Sequence, residues 1–291
     1  MTAVARTRAE LAELRSEVTA KGTRGPVAVV MTMGALHAGH VELIRQARGR
    51  AEVVLVTEFL NPLQFAPGED LSKYPRTFDT DLELCRAEGV DLVFAPSAET
   101  VYPSGYPSGE TMVTVSAGDV GDVLEGHSRP GHFDGVLTVV AKLLHLTAPD
   151  LAYFGRKDAQ QLWLISRMVE DLDFDVEVVP VPTVRDATGL ALSSRNTYLG
   201  PQDREAARAL SLALEAAAAV ALGGTPDDVV RAASGVLSET AGIDTDYVAL
   251  VDPASFAPVA ADFEGEGLVL VAAQVGPTRL IDNAAVHLGK G

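Results

Sequence analysis

The sequence predicts a protein of the α/β class, with a parallel sheet in a first domain and a smaller α+β domain after it. Short apolar runs alternate with segments of helical periodicity through the first two thirds of the chain. That rhythm changes after about Val184, and the length of 291 residues suits two domains of moderate size. We therefore expect one domain at residues 1–183 and a second at residues 184–291.

Strands and helices alternate in the first predicted domain. Met1–Lys21 is charged and is predicted to form an amphipathic helix, Val27–Thr32 is typical of a buried strand, and Gly39–Arg50 carries apolar residues at helical spacing. The same patterns then predict strand Val53–Phe59, helix Asp79–Glu88, strands Asp91–Ala95 and Met112–Val115, helix His132–Leu146, strand Leu151–Phe154, helix Ala159–Glu170 and strand Val176–Val181. This alternation favours a parallel sheet with right-handed crossovers.

The second predicted domain has its helices first and its strands afterwards. Asp203–Leu222 is an Ala-rich helix and Asp227–Thr240 is another. Tyr247–Val251, Leu268–Ala272 and Thr278–Ile281 are predicted strands. Helices and strands that are segregated along the chain are typical of an α+β domain.

Composition excludes several classes of protein. Lys and Arg total 23 against 40 Asp and Glu, so the formal net charge of −17 argues against a broad basic surface for nucleic acid. A phosphate could bind only where a few cations and backbone N–H groups converge. The single cysteine, Cys85, rules out a disulfide within the chain. No apolar leader is visible, and the longest uncharged stretch, Gly25–Val41, is too short to span a membrane. We expect a soluble cytoplasmic protein.

A His-x-Gly-His motif follows the first predicted long strand and opens a helix. His37 and His40 are three residues apart, with Gly39 between them. A helix N-terminus offers unpaired N–H groups and a partial positive charge, and two imidazoles there can donate hydrogen bonds to phosphoryl oxygens. The alternatives are two incidental polar residues at a helix start, or a zinc pair that has no third ligand at the usual spacing.

Two further loops follow predicted strands. Gln64 lies between apolar neighbours after the predicted strand Val53–Phe59, where its amide could hold a small polyol acid. Lys157 and Asp158 follow a Gly turn at Gly155, and Lys157 is a compact cation suited to phosphate. The alternative for the Gln64 loop, favoured when that loop is taken alone, is an ordinary exit from a strand. The alternative for Lys157 is a surface lysine beside Asp158 as a helix cap.

A third loop lies at the start of the second predicted domain. Ser193, Ser194 and Arg195 follow Gly189, and this composition suits a mobile phosphate clamp or a polar interdomain loop. Arg129, before a Pro-Gly turn, could bind an anion.

Two common nucleotide-binding motifs do not occur in the sequence. No Gly-x-Gly-x-x-Gly motif follows the predicted strand Val27–Thr32, and there is no Walker A motif. This argues against dinucleotide oxidoreductases and P-loop NTPases.

Taken together, these segments resemble the pantoate–β-alanine ligases. The resemblance runs nearly end to end and is strongest at Met33–His40, Asn61–Phe65, Tyr74–Thr77, Arg129–Phe133, Gly155–Gln161 and Gly189–Asn196. It implies a Rossmann-like catalytic domain with a C-terminal lid, a homodimer, and ATP with Mg²⁺. It also implies a pantoyl-adenylate intermediate that β-alanine converts to pantothenate, with release of pyrophosphate and AMP.

The resemblance also assigns roles to individual residues. His37 and His40 would contact the ATP phosphates, with Gly39 under the nucleotide. Met33, Gln64 and Gln161 would contact pantoate, and Met33 would also contact ATP through its backbone. Further ATP contacts would come from a set of residues in three later segments: Gly155, Lys157, Asp158, Ser193, Ser194 and Arg195.

Six positions depart from the family pattern that the resemblance suggests. None of them carries a chemical role. Glu58, for example, stands where an apolar strand residue is usual, and Arg156 stands where Glu is common. The six positions are Met31, Glu58, Asp134, Arg156, Asp186 and Thr188.

Two other functions stay open at this point. One is an adenylyltransferase that moves AMP onto a phosphorylated substrate, although the neutral Gln64 and Gln161 argue against a phosphorylated acceptor. The other is a nucleotide-binding protein without catalysis. The combination of His37, His40, Lys157 and Arg195 argues against it.

Overall fold

The computed structural model describes residues 2–20, 25–66, 70–104 and 112–289. The chain forms two compact units, one of Met1–Arg156 with Leu164–Pro182 and one of Lys157–Trp163 with Thr183–Gly291. A six-stranded parallel sheet lies in the first unit and a three-stranded antiparallel sheet in the second. The predicted fold class is therefore confirmed. The functional division at residues 1–183 and 184–291 stays a prediction.

The sheet of the first unit has the strand order β1-β4-β3-β2-β5-β6, and all its neighbouring strands are parallel. From β2 the chain proceeds to β3 and β4 on one side, whereas β5 and β6 lie on the other. Ligands bind in such sheets at the carboxyl ends of strands where the order reverses, here beside β2. The strands are β1 Ala3–Ala5, β2 Val27–Thr32, β3 Val53–Glu58, β4 Leu92–Phe94, β5 Leu151–Gly155 and β6 Glu177–Val181.

The helices between residues 8 and 171 pack mainly through apolar faces. Leu43, Ile44 and Ala47 of α2 join a core cluster with Val30 and Val54 of the sheet. Helix α6 is buried along most of its length, because its sequence is apolar on nearly every side. The helices are α1 Arg8–Ala20, α2 Ala38–Arg50, α3 Phe78–Ala87, α4 Ala98–Val101, α5 Glu125–Ser128, α6 His132–Thr147 and α7 Ala159–Asp171.

Two expectations for the first unit are wrong. Met1–Lys21 is not one helix, since β1 pairs with β4 before α1 begins (Met1 and Lys21 themselves lie outside the described residues). Met112–Val115 is not a strand. The Val115 N–H donates to Thr138 Oγ1 at 2.9 Å, and Val113 is 93% exposed, so its β-branched side chain covers no sheet face.

The second unit packs helices on one face of an antiparallel meander. Leu210 and Leu214 of α9 and Leu237 of α10 form a core with Val269 and Val271 of β8. The predicted helix Asp203–Leu222 is divided at Arg208, whose N–H bonds to Glu205 O, three residues back. The elements are α8 Pro201–Ala207, α9 Ala209–Ala221, α10 Pro226–Glu239, β7 Ile243–Val251, β8 Gly265–Val275 and β9 Thr278–Leu288. Across the described part of the chain, no helix is both long enough and apolar enough to cross a membrane.

Candidate active site

The loop from β2 into α2 begins with a sharp change of direction. Thr32 Oγ1 donates to Thr57 O at 2.9 Å and accepts from Gly34 N at 3.2 Å. Gly34 and Ala35 then adopt φ angles of +83° and +52°. A positive φ suits glycine but is strained for alanine, so neighbouring contacts must hold Ala35 in place.

Asp81 of α3 supplies those contacts. Its two carboxylate oxygens accept the N–H groups of Ala35 and Leu36, both at 2.9 Å, and Thr77 Oγ1 donates to the same carboxylate at 2.9 Å. Asp81 is 2% exposed, so three hydrogen bonds compensate for the burial of its carboxylate. No local sequence pattern indicates this anchor, because 46 residues separate Asp81 from Ala35.

Glu58, at the end of β3, lies against the same loop. A Cβ added to Gly34 would be 2.8 Å from Glu58 Oε1, so the absence of a side chain at Gly34 admits this carboxylate. Burial raises the pKa of Glu58 to about 7, and the neighbouring Asp81 contributes to the rise while Arg6 opposes it. Glu58 in turn helps to raise the pKa of the buried Cys85 thiol.

We expect Glu58→Gln to reduce the loss of stability that accompanies rising pH. Because the native pKa of Glu58 lies above its unfolded value, the native state binds the additional proton between roughly pH 4.5 and 7. Stability from this group therefore falls as pH rises through that window. Thermal unfolding at about pH 5 and about pH 8 should show a smaller decrease in Tm for Glu58→Gln than for wild type. The exposed Glu83 of α3 provides the control, as Glu83→Gln. If Tm decreased between these two pH values as much in Glu58→Gln as in wild type, the pKa of Glu58 would not be raised.

His37 and His40 cap helix α2 together. His37 is the N-cap residue, and its Nδ1 accepts from Gly39 N at 3.1 Å, while His40 Nδ1 accepts from His37 N at 3.2 Å. The ring centroids are 4.1 Å apart. An Nδ1 that accepts a hydrogen bond carries no proton, so this geometry assigns the proton of each neutral ring to Nε2. Both imidazoles therefore have an Nε2–H donor at the positive end of a helix.

Gly39 has a role beyond the one expected from sequence. A Cβ at this position would lie 2.8 Å from His37 Cε1 and 2.9 Å from His37 Nδ1. The missing side chain thus allows the His37 ring to fold back onto the helix start and accept the Gly39 N–H. Close approach of a ligand to Gly39 stays a prediction.

Gln64 is held next to Met33 in the first unit. It is 8% exposed, its Nε2 donates to Met33 Sδ at 3.1 Å, and its Oε1 accepts from Asn61 Nδ2 at 3.1 Å. Tyr102 OH donates to Asn61 Oδ1 at 2.8 Å, and burial raises the pKa of Tyr102, which keeps that donor protonated. The structure therefore orients the Gln64 amide through a buried chain of polar groups.

Arg129 contacts the backbone of Gln64 in this structure. Its guanidinium donates to Gln64 O at 3.3 Å and lies 3.0 Å from His132 Nε2, and His132 Nδ1 is 2.9 Å from the same carbonyl oxygen. The sequence predicts Arg129 as an anion ligand but does not indicate a role for His132. The one sequence signal for His132 is its spacing of three residues from Arg129.

Lys157, Asp158 and Gln161 belong to the second unit, whereas Gly155 ends β5 in the first. Lys157 Nζ is 3.8 Å from Asp158 Oδ1, and the side chains of these residues are 18% and 49% exposed. The carbonyl oxygen of Lys157 accepts from Asn283 Nδ2 of β9 at 2.8 Å. Gln161 lies in the first turn of α7.

Ser193, Ser194 and Arg195 begin a short 3-10 helix in the second unit. Ser193 is its N-cap and accepts the N–H of Arg195 at 3.2 Å, while the buried Asn196 donates from Nδ2 to Ala191 O at 3.0 Å. This segment, which we call the Ser-Ser-Arg arm, follows a hairpin at residues 184–192. The Leu192 N–H to Val184 O and Asp186 N–H to Leu190 O bonds close that hairpin.

A family model described as Pantoate-beta-alanine ligase matches residues 3–285. The chain belongs to the pantoate-beta-alanine ligase family. Among curated members, it is 55% identical over 295 residues to the pantothenate synthetase of Salinispora arenicola, with 99% of each chain covered.

Solved structures of this ligase family have the same fold. The pantothenate synthetase of Thermus thermophilus gives a TM-score of 0.88 at 45% identity, covering 97% of this chain and 98% of the other. A pantoate-beta-alanine ligase of Francisella tularensis, complexed with Beta-gamma ATP and Beta-alanine, gives 0.79 at 31% identity, with 98% and 97% covered.

Three of the positions that the resemblance marks as departures make local contacts in the structure. Asp134 Oδ1 accepts the Ala117 N–H at 2.7 Å. Asp186 Oδ1 accepts from Thr188 N at 2.8 Å and from Leu190 N at 3.2 Å, which closes the hairpin before the Ser-Ser-Arg arm. Met31 pairs with Thr57 inside β2, so the strand continues through it.

Proposed function

We propose that this protein condenses pantoate with β-alanine to form pantothenate, in two steps driven by ATP. A carboxylate oxygen of pantoate first attacks the α-phosphorus, the bond to the bridging oxygen breaks, and pyrophosphate leaves. The nitrogen of β-alanine then attacks the acyl carbon of pantoyl adenylate, the acyl–oxygen bond breaks, and AMP leaves as the amine loses a proton. The protein is thus an AMP-forming ligase.

The observation that carries this proposal is the paired capping of α2 by His37 and His40. Because each Nδ1 is engaged by the helix start, each ring retains its proton on Nε2. Displacement at phosphorus builds negative charge on phosphate oxygens, and preoriented N–H donors stabilise that charge without reorganisation. We assign this role to the two rings, which requires no proton transfer from either.

The surroundings of Gln64 favour a small hydroxy acid that carries no phosphate group as the acceptor of AMP. The partner of its amide N–H is the Met33 thioether, a weak acceptor that a pantoate oxygen can replace at little cost. The other end of the amide is fixed by Asn61. We propose that Gln64 and Gln161 hold pantoate, and that Met33 lines the same position.

We propose that the second unit supplies the cationic ligands of the triphosphate. Lys157 would bind phosphate, Asp158 would lie near the ribose, and Ser193, Ser194 and Arg195 would close over the phosphates. Mg²⁺ usually keeps several waters and binds through substrate phosphates with one or two carboxylates. Among the described residues, no group of three or more His, Cys, Asp or Glu side chains is arranged to hold a metal ion.

We also propose a cytoplasmic homodimer, as in the family that the sequence resembles. The single cysteine is free and buried, which suits a reducing compartment. Burial raises the pKa of its thiol to about 12, so the thiol is not reactive. Sedimentation at micromolar concentration measures the oligomeric state, and a monomer there would contradict the dimer.

The experiment that tests the function incubates the enzyme with ATP–Mg²⁺ and adds pantoate alone, β-alanine alone or both. We expect pyrophosphate release to require pantoate, and AMP release to require both acids. Transfer of AMP to a phosphorylated acceptor, or tight ATP binding with no turnover, would instead support one of the other two functions.

A further inference from the structure

Two adjacent residues of β9 contact two segments of the second unit, the Lys157 turn and the hairpin that precedes the Ser-Ser-Arg arm. Asn283 Nδ2 donates to the carbonyl oxygen of Lys157 at 2.8 Å. Asp282 accepts from the Arg185 guanidinium at 2.5 and 2.9 Å, in a bidentate pair. Neither β9 residue has a role in the reaction as proposed above.

The Asp282 pair reaches the Ser-Ser-Arg arm through the hairpin before it. Arg185 also donates to Gly189 O at 3.0 Å, so one guanidinium joins both sides of the hairpin to the sheet. The side chain of Asp282 is 2% exposed, and its hydrogen bonds raise the pKa of Arg185. A bidentate pair with a buried carboxylate fixes orientation as well as distance.

We propose that Asp282 and Asn283 are positioning residues that hold the Lys157 turn and the Ser-Ser-Arg arm on one rigid strand. This inference rests on the proposed function, in which both segments bind the ATP phosphates. Preorganisation of such ligands is most valuable in the transition state, where a displacement of about 1 Å can reduce the rate by about 10². Neither residue touches ATP in this proposal.

The test measures adenylate formation, as pyrophosphate release, in Asn283→Ala and Asn283→Asp. The Asp variant keeps the size of the side chain but removes the N–H donor. We expect both to reduce kcat for adenylate formation by about tenfold to a hundredfold. Aminolysis of supplied pantoyl adenylate should stay near the wild-type rate, because that step uses no triphosphate. A general loss of structure would slow both steps equally.

The control is Gln274→Ala on β8. Gln274 Nε2 donates to Gly276 O at 3.0 Å, so it makes the same kind of bond in the same sheet but away from either segment. If the wild type is active and both Asn283 variants match Gln274→Ala in adenylate formation, Asn283 has no positioning role.

Hydrogen exchange tests the same inference without activity. In Asn283→Ala we expect faster exchange in residues 156–160 and unchanged exchange in residues 184–192. In Asp282→Asn we expect the reverse. Unchanged exchange in both variants would overturn the inference even in an active enzyme. An inactive wild type whose variants show these exchange patterns would instead overturn the proposed function and retain the anchoring.

Discussion

We expect His40→Ala to reduce pantoyl-adenylate formation by about 10²–10³-fold, the effect of losing one preoriented donor to a developing oxyanion. The imidazole is held by its Nδ1 on the His37 N–H, so its Nε2–H has a fixed place at the start of α2. Pyrophosphate release at saturating ATP and pantoate measures the rate. A His40→Ala enzyme within about threefold of the wild-type rate would exclude this role.

The control for His40→Ala must separate chemistry from helix capping. Loss of a cap destabilises a helix by about 0.5–2 kcal/mol, so the Ala variant loses both a donor and a cap. Glutamine at the third helical position can reach back to the N-cap N–H, as in a capping box. We therefore expect His40→Gln to keep the wild-type Tm and still lose most of the activity.

Lys157→Ala should reduce the same step by a similar factor of about 10²–10³, because it removes a cation from the developing charge at phosphorus. Because the chain has a net charge of −17, we expect each cation near the phosphates to contribute measurably to the rate of adenylate formation. The side chain is 18% exposed, and the backbone bond from Asn283 does not depend on it. The turn should therefore keep its position in the variant.

Two comparisons make the Lys157 result specific. Arg231→Ala removes one positive charge from the exposed surface of α10 in the same unit, where Arg231 pairs with Asp228, and should leave the rate unchanged. Aminolysis of supplied pantoyl adenylate by Lys157→Ala should be much less affected than its formation. Equal rates of adenylate formation in Lys157→Ala and Arg231→Ala would rule out phosphate binding by Lys157.

Most long elements of the first unit could be predicted from local pattern. Val27–Thr32 is the same in prediction and structure, and α2 and α6 differ from their predicted bounds by one residue at one end. Their apolar runs and helical periodicity are buried where the pattern requires. β1 could not be found in this way, because three residues show no period and the strand depends on pairing with β4. The pattern at Met112–Val115 failed for the opposite reason, since no strand among the described residues pairs with it.

The α/β fold class follows from local patterns in the sequence, and the motifs indicate which residue types could bind phosphate and a hydroxy acid. How those residues are held depends on contacts that form only in the folded chain. Asp81 is 46 residues from the loop that it anchors, and Asn283 is 126 residues from Lys157. Local periodicity reflects burial and the preference for helix or strand. A hydrogen bond between distant segments changes neither of these patterns, so the sequence does not predict it. The tautomers of His37 and His40 likewise depend on backbone N–H groups whose directions exist only once α2 has formed.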